Sequence, residues 1–279
     1  MTENKMIDCH VHFWSYNKAE FPWISGDLSS IQCDRLVDDL LPVIGDKVSK
    51  VIAVQARPKP GENNFLCTLA RKYQAIAGVI GWFDFDGDAE LQLADAKQQS
   101  VIKGFRHLIQ DEIDPSSYLR EHSGLHYAMP LIQAEEFVYE ILIHQKDIDA
   151  ALEFCSRHDR HYLIIDHLAK PIFGDEEAFI DWRNWIQQLR RMDHICLKIS
   201  GLILEAGADV QPDMFRRYTD FVYETFGPKR LLWGSDWPVS SVVKSYASVL
   251  DYWKIWTEHW NRNERLTVEE QTPKQIYKL

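Results

Sequence analysis

Short apolar runs alternate along the chain with longer segments in which apolar and polar residues recur at helical spacing. Each run covers about four to eight residues and is almost continuously apolar, which is typical of strands in a parallel sheet buried on both faces. Eight strands are predicted in this way: Lys5–Val11, Val51–Val54, Ile76–Phe83, Val101–Phe105, Val138–Ile143, Tyr162–Ile165, Ile195–Ile199 and Arg230–Trp233.

Most of these strands are followed by a segment in which apolar residues recur every three or four positions, the spacing of one helix face. The predicted helices are Asp34–Ile44, Glu62–Tyr73, Asp88–Gln99, Ile148–Arg157, Glu176–Met192, Pro212–Phe226, Val242–Trp260 and Thr267–Tyr277. Between the fourth and fifth strands, residues 111–134 predict one or two short helices, broken at Pro115 and Pro130.

Eight strand–helix units in 279 residues predict an α/β fold, a single-domain (β/α)8 TIM barrel over residues 1–279. A doubly wound open sheet is the alternative. The chain contains neither Gly-x-Gly-x-x-Gly nor Gly-x4-Gly-Lys-Ser/Thr, the phosphate-binding loops that such a sheet often carries. The loop His12–Cys33 is longer than a simple connection requires, so we expect it to cover a site.

The composition limits the kinds of molecule that the protein is expected to bind. The chain has 31 basic and 42 acidic residues, and its net charge of −11 argues against nucleic acid or an anionic membrane as the main partner. No apolar run approaches the roughly 18 residues of a membrane span, and the N-terminus has no apolar signal core. The five cysteines are widely spaced, which favours buried free thiols over disulfides or a zinc knuckle. We expect a cytoplasmic protein, monomeric or homodimeric, that acts on a small molecule.

Polar residues collect at the predicted carboxyl ends of the strands, where a barrel places its chemistry. His10 and His12 lie two residues apart at the end of the first strand, so they point to the same side and suit one metal ion or one polarised carbonyl. The other residues at strand ends are Gln55, Arg57, Trp82, Asp84, Arg106, His107, His144, Asp166, His167, Lys170, Lys198, Ser200, Ser235 and Asp236. Histidines after four strands, with an aspartate after the eighth, indicate a catalytic site.

Several of these residues also have a plausible structural role. Asp236 precedes a predicted helix and is a good N-cap residue. Arg106 suits an internal salt bridge, and Lys198, within an apolar strand, is expected to pair with a carboxylate across the barrel. Trp14, Trp23, Trp82 and Trp237 lie at or just past predicted strand ends, where they could line a pocket instead of packing in the core.

Three motifs together resemble the amidohydrolase superfamily: His10-x-His12, Asp166-His167-Leu168-Ala169-Lys170-Pro171 and Gly234-Ser235-Asp236-Trp237-Pro238. The segments 104–107 and 198–201 also resemble it, and the similarity extends from about residue 6 to residue 277. More narrowly, the chain is similar to the amidohydrolase-2 branch, which holds sugar-acid and dicarboxylate lactonases.

The resemblance implies a hydrolase that opens a lactone. It implies that Asp236 is the general base, while His10, His12 and His167 polarise the carbonyl directly or through one divalent metal. If a metal is bound, these four residues are its expected ligands and zinc is the expected ion. Without a metal, the imidazoles would stabilise the oxyanion as hydrogen-bond donors. The fourth strand ends in Arg106 and offers no bridging lysine, so a two-metal site is not expected.

Further residues at the strand ends are then expected to contact the substrate. Arginine can hold a carboxylate with two hydrogen bonds, and neutral histidine can donate or accept one. The expected substrate contacts are Arg106, His107, His144, Gln55, Lys170, Trp14 and Trp237. Two alternatives to a lactonase remain: a zinc-dependent decarboxylase of the same branch, and a catalytically silent barrel used for binding.

Overall fold

The computed structural model describes residues 5–207 and 211–279. Eight parallel strands pair in chain order, each with the next, and form a nearly closed barrel. The strands are β1 Met6–Val11, β2 Val48–Val54, β3 Ile76–Trp82, β4 Ile102–His107, β5 Val138–Ile141, β6 Leu163–Ile165, β7 Ile195–Ile199 and β8 Leu231–Trp233. The predicted (β/α)8 barrel is therefore confirmed.

Helices surround the barrel on its outside. They are α1 Val37–Ile44, α2 Gly61–Lys72, α3 Ala89–Lys97, α4 Pro115–Glu121, α5 Ser123–Ala134, α6 Ile148–Arg157, α7 Glu176–Leu189, α8 Leu202–Ala206, α9 Asp213–Phe226, α10 Tyr246–Trp256, α11 Arg262–Leu266 and α12 Thr272–Ile276. No helix in the described part of the chain is long and apolar enough to cross a membrane.

The helix boundaries differ from the prediction at two informative places. Pro115 begins α4, as a proline at a first helical position can, but Pro130 lies inside α5, so the predicted break at that residue is wrong. The helix predicted over Val242–Trp260 is shorter, because the Ser245 hydroxyl accepts a hydrogen bond from the Ser248 amide and starts α10 at Tyr246.

The core has two layers. Between the sheet and the helices pack large side chains such as Trp182, Trp233 and Trp253. Inside the barrel, the strands contribute Ile7, Cys9, Ile52, Val54, Ile80, Val138, Ile164, Cys196 and Leu232. Ile276 and Tyr277, from the end of the chain, join this interior layer. Four of the five cysteines are buried and all five are free, which agrees with the expected free thiols.

The barrel closes where the segment after β8 meets β1. The His12 amide donates to the Trp237 carbonyl at 2.8 Å, and the Asp236 amide donates to the His10 carbonyl at 2.9 Å. At Gly234 a β-carbon would lie 2.5 Å from the Cβ of His10, so only glycine allows this approach. This closure places the residues after β8 directly beside the histidines of β1.

Candidate active site

His10, His12, His167 and Asp236 converge at the carboxyl end of the barrel. His10 Nε2 and His12 Nε2 are 3.2 Å apart. Asp236 Oδ1 lies 3.4 Å from His12 Nε2 and 3.8 Å from His10 Nε2. The rings of His10 and His167 are 4.6 Å apart between centroids. All four side chains are buried, so their charges interact with little screening by water.

An irregularity in β1 aims the two histidines into the barrel. Against β2, the strand has one extra residue between Asp8 and Val11, as in a β-bulge. Ile7 and Cys9 point into the barrel interior below this place. The extra residue shifts the alternation of inward and outward side chains by one position. His10 and His12 therefore point inward, nearer the carboxyl end of the barrel than Ile7 and Cys9. The buried Asp8 carboxylate supports the bend by accepting from the His10 amide at 3.1 Å.

A left-handed turn after β6 carries His167. Four consecutive residues, 167–170, have φ between 51° and 60°, a conformation that costs energy for residues other than glycine. The turn brings His167 Nδ1 to 2.8 Å from the Ser200 hydroxyl. It also leaves no room beside the ring, because a β-carbon at Gly201 would lie 2.6 Å from His167 Nδ1. The turn thus orients one imidazole at the cost of local strain.

Asp236 faces the histidines rather than a helix end. The short helical turn that follows begins at Val239, after Pro238, and the Asp236 carboxylate is directed to His12. Burial alone would raise the pKa of Asp236, but the nearby His167 and the hydrogen bond with His12 outweigh it, and the pKa is lowered. The carboxylate is therefore ionised at neutral pH, as a general base must be.

A network of buried charges lies beneath the histidines. Lys198 Nζ is 3.1 Å from Asp166 Oδ1 and also donates to Glu140, which confirms the predicted pairing of Lys198 across the barrel. Arg106 Nη1 donates to Asp166 Oδ2 at 3.1 Å. Burial opposes the charge of Asp166, but Lys198 and Arg106 outweigh it and lower the pKa of this carboxyl. Burial, followed by the charge of Lys198, holds the pKa of His10 well below its usual value, so the ring is neutral.

The spacing of the ligand atoms fits one divalent ion. His12 Nδ1 lies 2.8 Å from the Val54 carbonyl and donates to it, which leaves the lone pair of the neutral ring on Nε2. Two ligands of a tetrahedral zinc ion lie about 3.3 Å apart, close to the separations among His10, His12 and Asp236. A second set, His10, Asp166 and His167, also has three ligand atoms within 4.8 Å of one another.

Two cations flank the ring of His10. Lys198 Nζ lies 3.2 Å from His10 Nδ1, and Arg106 Nη1 lies 3.2 Å from His10 Nε2. Ammonium and guanidinium groups can only donate, so each ring nitrogen of His10 faces a hydrogen-bond donor. A metal ion binds only a ring nitrogen that carries no proton, so metal binding and the protonation of His10 are coupled.

The site opens into a cavity of about 260 Å³. It is lined by His12, Trp23, Leu28, Ala56, Arg106, Leu108, Gln110, Asp111, Leu142, His167, Lys170, Leu204, Glu205, Asp236 and Val239. Lys170 forms an ion pair with Glu205 at 2.9 Å, on the cavity wall. Among the predicted substrate contacts, Lys170 and Arg106 thus reach the cavity. The guanidinium of Arg106 is largely held by Asp166 and the Gln55 carbonyl, so the predicted internal salt bridge is also present.

The other predicted substrate contacts lie outside this lining. His107 follows Arg106 in β4 and points to the opposite side of the strand, where it pairs with Glu112 at 2.6 Å. Trp14 is fully buried, and its indole donates to the Cys33 carbonyl. Trp237 packs against Phe13 in the core. His107 is thus held by an ion pair, whereas Trp14 and Trp237 pack among apolar side chains.

Two further predicted contacts are near the site but do not line the cavity. His144 is half-buried, and burial, followed by the charge of Lys170, lowers its pKa. Gln55 is fully buried and its backbone carbonyl accepts from Arg106. Neither side chain reaches the cavity wall.

Sequence reasoning missed most of the loop residues that shape the cavity. Trp23 and Leu28 come from the loop 12–33, which was expected to cover a site without any residue being specified. Glu205 lies in α8, a helix that was not predicted, and its five residues are too few to show a period. For Trp23 the signal was present, because its place just past a predicted strand end suggested a pocket residue.

The chain is similar to known proteins over most of its length. A family model described as Amidohydrolase matches residues 7–279. An L-fucono-1,5-lactonase from Burkholderia multivorans is 33% identical over 90% of this chain and 88% of its own length. An L-fucono-1,5-lactonase from Burkholderia ambifaria is 31% identical over 90% of this chain and 86% of its own length. A crystal structure of an amidohydrolase from Burkholderia multivorans with bound zinc, 33% identical, matches 99% of this chain and 100% of that one with a TM-score of 0.91. The chain belongs to the amidohydrolase family, in the branch that holds these sugar lactonases.

Proposed function

We propose that the protein hydrolyses a sugar-acid lactone, with Asp236 as the general base. The observation that carries the proposal is the ionised carboxylate of Asp236 beside three histidines, at the floor of a cavity of about 260 Å³. Pockets for drug-sized ligands begin at roughly 300 Å³, so this one suits a compact ring. The similarity to two L-fucono-1,5-lactonases supports a lactone as the substrate.

The reaction follows from the positions of the donors and acceptors. Asp236 takes a proton from water, and the resulting hydroxide adds to the lactone carbonyl carbon. The carbonyl oxygen becomes an oxyanion, which the N–H groups of nearby imidazoles stabilise. The ring carbon–oxygen bond then breaks, and the ring oxygen takes the proton back from Asp236. The product is an open-chain hydroxy acid, which releases its own acid proton to solvent.

His167 is the best placed imidazole for the oxyanion. If the Ser200 hydroxyl donates to His167 Nδ1, the proton of the neutral ring lies on Nε2. A divalent ion held by His10, His12 and Asp236, with His167 beside them, would supply Lewis-acid polarisation of the same carbonyl. In both cases Asp236 keeps its role as the proton acceptor for water.

One wall of the cavity suggests which lactone is bound. Trp23, Leu28, Ala56, Leu204 and Val239 all line the cavity and belong to one apolar cluster. The Trp23 indole N–H is used in a hydrogen bond to the Ala56 carbonyl at 2.8 Å, so the wall offers the substrate no polar partner from this ring. A hydroxymethyl group placed there would lose its hydrogen bonds to water, whereas a methyl group would gain burial. The wall therefore favours a 6-deoxy sugar lactone such as an L-fuconolactone.

A lactone panel with a pH indicator tests the activity. We expect acid release from aldonolactones, with zinc and manganese content of the purified protein measured in parallel. The absence of hydrolysis above background for every aldonolactone and dicarboxylate lactone, with and without added zinc or manganese, would sink the proposal. Carbon dioxide release from an unsaturated acid, dependent on zinc, would favour the decarboxylase instead.

The apolar wall is tested by a matched pair of substrates. L-Fucono- and L-galactonolactone have the same stereocentres and differ only in a methyl or a hydroxymethyl end. We expect kcat/KM to favour the methyl form by about tenfold to a hundredfold, the usual range for such pockets. Leu28→Ser should reduce this preference, while Leu91→Ser, on the exposed surface of α3, should leave it unchanged. If Leu28→Ser does not alter this preference, the apolar wall does not determine the specificity.

A further inference from the structure

The cavity wall carries an ion pair that has no role in the proposed reaction. Lys170 Nζ lies 2.9 Å from Glu205 Oε1, and both residues line the cavity. The exposed fraction of the side chain is 13% for Lys170 and 23% for Glu205, so each charged group is largely buried but still reaches the cavity. Asp236 and the histidines account for the chemistry, which leaves this pair without an assigned function.

Two left-handed backbone positions place the pair. Lys170 ends the turn after β6, with φ of 51°, and its amide donates to the His167 carbonyl at 2.9 Å. Gly201 follows β7, with φ of 67°, and precedes α8, which carries Glu205. The His167 ring packs so closely against Gly201 that a β-carbon there would lie 2.6 Å from His167 Nδ1. Both members of the ion pair are therefore fixed relative to His167.

The pair keeps hydrogen-bonding capacity on both sides. An ammonium group has three N–H donors, and a carboxylate has two acceptor oxygens. Among the described residues, Lys170 Nζ has no acceptor besides Glu205 Oε1, and Glu205 Oε2 has no donor. A further cavity residue, Gln110, has a buried Oε1 atom without a partner in the described part of the chain. A ligand in the cavity can therefore accept from Lys170 while it donates to Glu205.

The charges of the cavity favour hydroxyl groups over a second carboxylate on the ligand. Among the described residues of the lining, the permanent cations are Lys170 and Arg106. Glu205 balances the charge of Lys170, and Asp166 balances that of Arg106 at 3.1 Å. An anionic group on the ligand would thus meet a carboxylate beside each cation, which costs free energy. A neutral hydroxyl group can donate to the carboxylate or accept from the ammonium group.

We propose that Glu205 is a specificity-determining residue: together with Lys170, it binds two neighbouring hydroxyl groups of the sugar ring. One hydroxyl donates to Glu205 Oε2, and the next accepts from Lys170 Nζ. Leu204, which precedes Glu205 in α8, belongs to the apolar wall, so one short helix contributes to the binding of both the hydroxyl groups and the methyl group. The inference deepens the proposed lactone hydrolysis, on which its kinetic consequence rests.

The kinetic test compares two lactones that differ in their hydroxyl groups. Glu205→Gln keeps the shape of the side chain and removes its charge. We expect KM for L-fucono-1,5-lactone to rise about tenfold at unchanged kcat, because the contact is the same in the ground state and the transition state. For δ-valerolactone, which has the same ring size and no hydroxyl group, kcat/KM should be equal in wild type and variant.

A matched control makes the same chemical change elsewhere. Glu177→Gln, on the exposed surface of α7, should leave the kinetics of both lactones unchanged. An equal loss for both lactones in Glu205→Gln, or no loss for L-fucono-1,5-lactone, would overturn the inference.

A binding measurement needs no turnover. L-Fucose has the ring hydroxyl groups of this lactone but a hemiacetal carbon in place of the carbonyl, so it cannot be hydrolysed. In calorimetric titrations, L-fucose should bind equally to wild type and Glu177→Gln, and about tenfold more weakly to Glu205→Gln. Equal binding by Glu205→Gln, or no binding by the wild type, would refute the proposal. A wild type that binds L-fucose in the expected pattern but hydrolyses no lactone would refute the proposed function alone.

Discussion

In the part of the chain that the structure describes, two pairs of histidines are joined through their ring nitrogens, and one of these pairs lies in the candidate active site. His10 and His12 are 3.2 Å apart at the barrel mouth. His126 of α5 and His158 at the end of α6 are 2.9 Å apart on the outside of the barrel. The first pair has the Asp236 carboxylate and a cavity beside it. A histidine pair by itself is therefore no sign of catalysis.

The outer pair has the partners of a structural contact. His126 Nε2 donates to the Arg120 carbonyl at 2.9 Å, and the Gln133 amide donates to the His158 carbonyl at 2.9 Å. Phe154, fully buried, lies between the two rings and the core. The nearest groups are thus backbone carbonyls and a hydrocarbon ring, which can hold an imidazole but cannot move a proton. The difference between the pairs lies in the carboxylate and the open space, not in the histidines.

The largest effect is expected at the carboxylate. Asp236→Asn should lower kcat for a lactone by about a hundredfold to ten-thousandfold, the contribution of a general base. Asparagine tolerates the left-handed backbone of this residue, at φ 60°, so Tm should change little. Steady-state kinetics and thermal unfolding of the same preparation measure both. A variant that unfolds would show that the carboxylate is structural, and one that keeps its activity would show that Asp236 is not the general base.

The next effect separates the two pairs directly. His12→Gln should lower kcat by about a hundredfold, because the ring contacts Asp236 and the cavity. His126→Gln should leave kcat unchanged and lower Tm by about 2–4 °C, since one hydrogen bond is worth about 1 kcal/mol in a domain of this size. Equal losses of kcat in the two variants would show that the two histidine pairs do not differ in their role in the reaction.

The smallest effect concerns the pH dependence of stability. Burial, followed by the charges of His126 and Arg157, lowers the pKa of His158 from 6.5 to about 4 in the folded protein, while Asp159 acts in the opposite direction. Between these pH values the unfolded chain binds a proton that the folded chain excludes. The contribution of His158 to the free energy of unfolding is therefore complete above pH 6.5 and is lost as the pH falls toward 4.

Thermal unfolding at several pH values tests this point. We expect Tm of the wild type to fall between pH 6.5 and pH 4.5, and to fall less in His158→Gln, which cannot titrate in that range. The lowered pKa values of His10 and His167 act in both proteins and cancel in the comparison. Parallel losses of Tm in wild type and variant would mean that the outer pair does not contribute.

The sequence alone allowed much of the site to be predicted. His10, His12, His167 and Asp236 were recognisable because each follows an apolar run, and the ends of parallel strands must meet at one end of a barrel. Arg106 and His107 show what the positions of residues along the sequence do not predict, namely which of two neighbouring side chains reaches the cavity. Both lie at the end of β4, but neighbouring residues of a strand point to opposite sides, so of these two Arg106 turns inward.

Local sequence determined the eight strands, most of the helices and the positions of the polar residues at the strand ends, because burial on both faces and helical periodicity are properties of short segments. Only the tertiary structure decided how these parts meet. The extra residue in β1 that turns His10 inward depends on pairing with β2, and the contact of Lys198 with Glu140 joins residues 58 positions apart. The Tyr277 hydroxyl reaches Glu140 across 137 positions. Such contacts follow from barrel closure and packing, which no short stretch of sequence encodes.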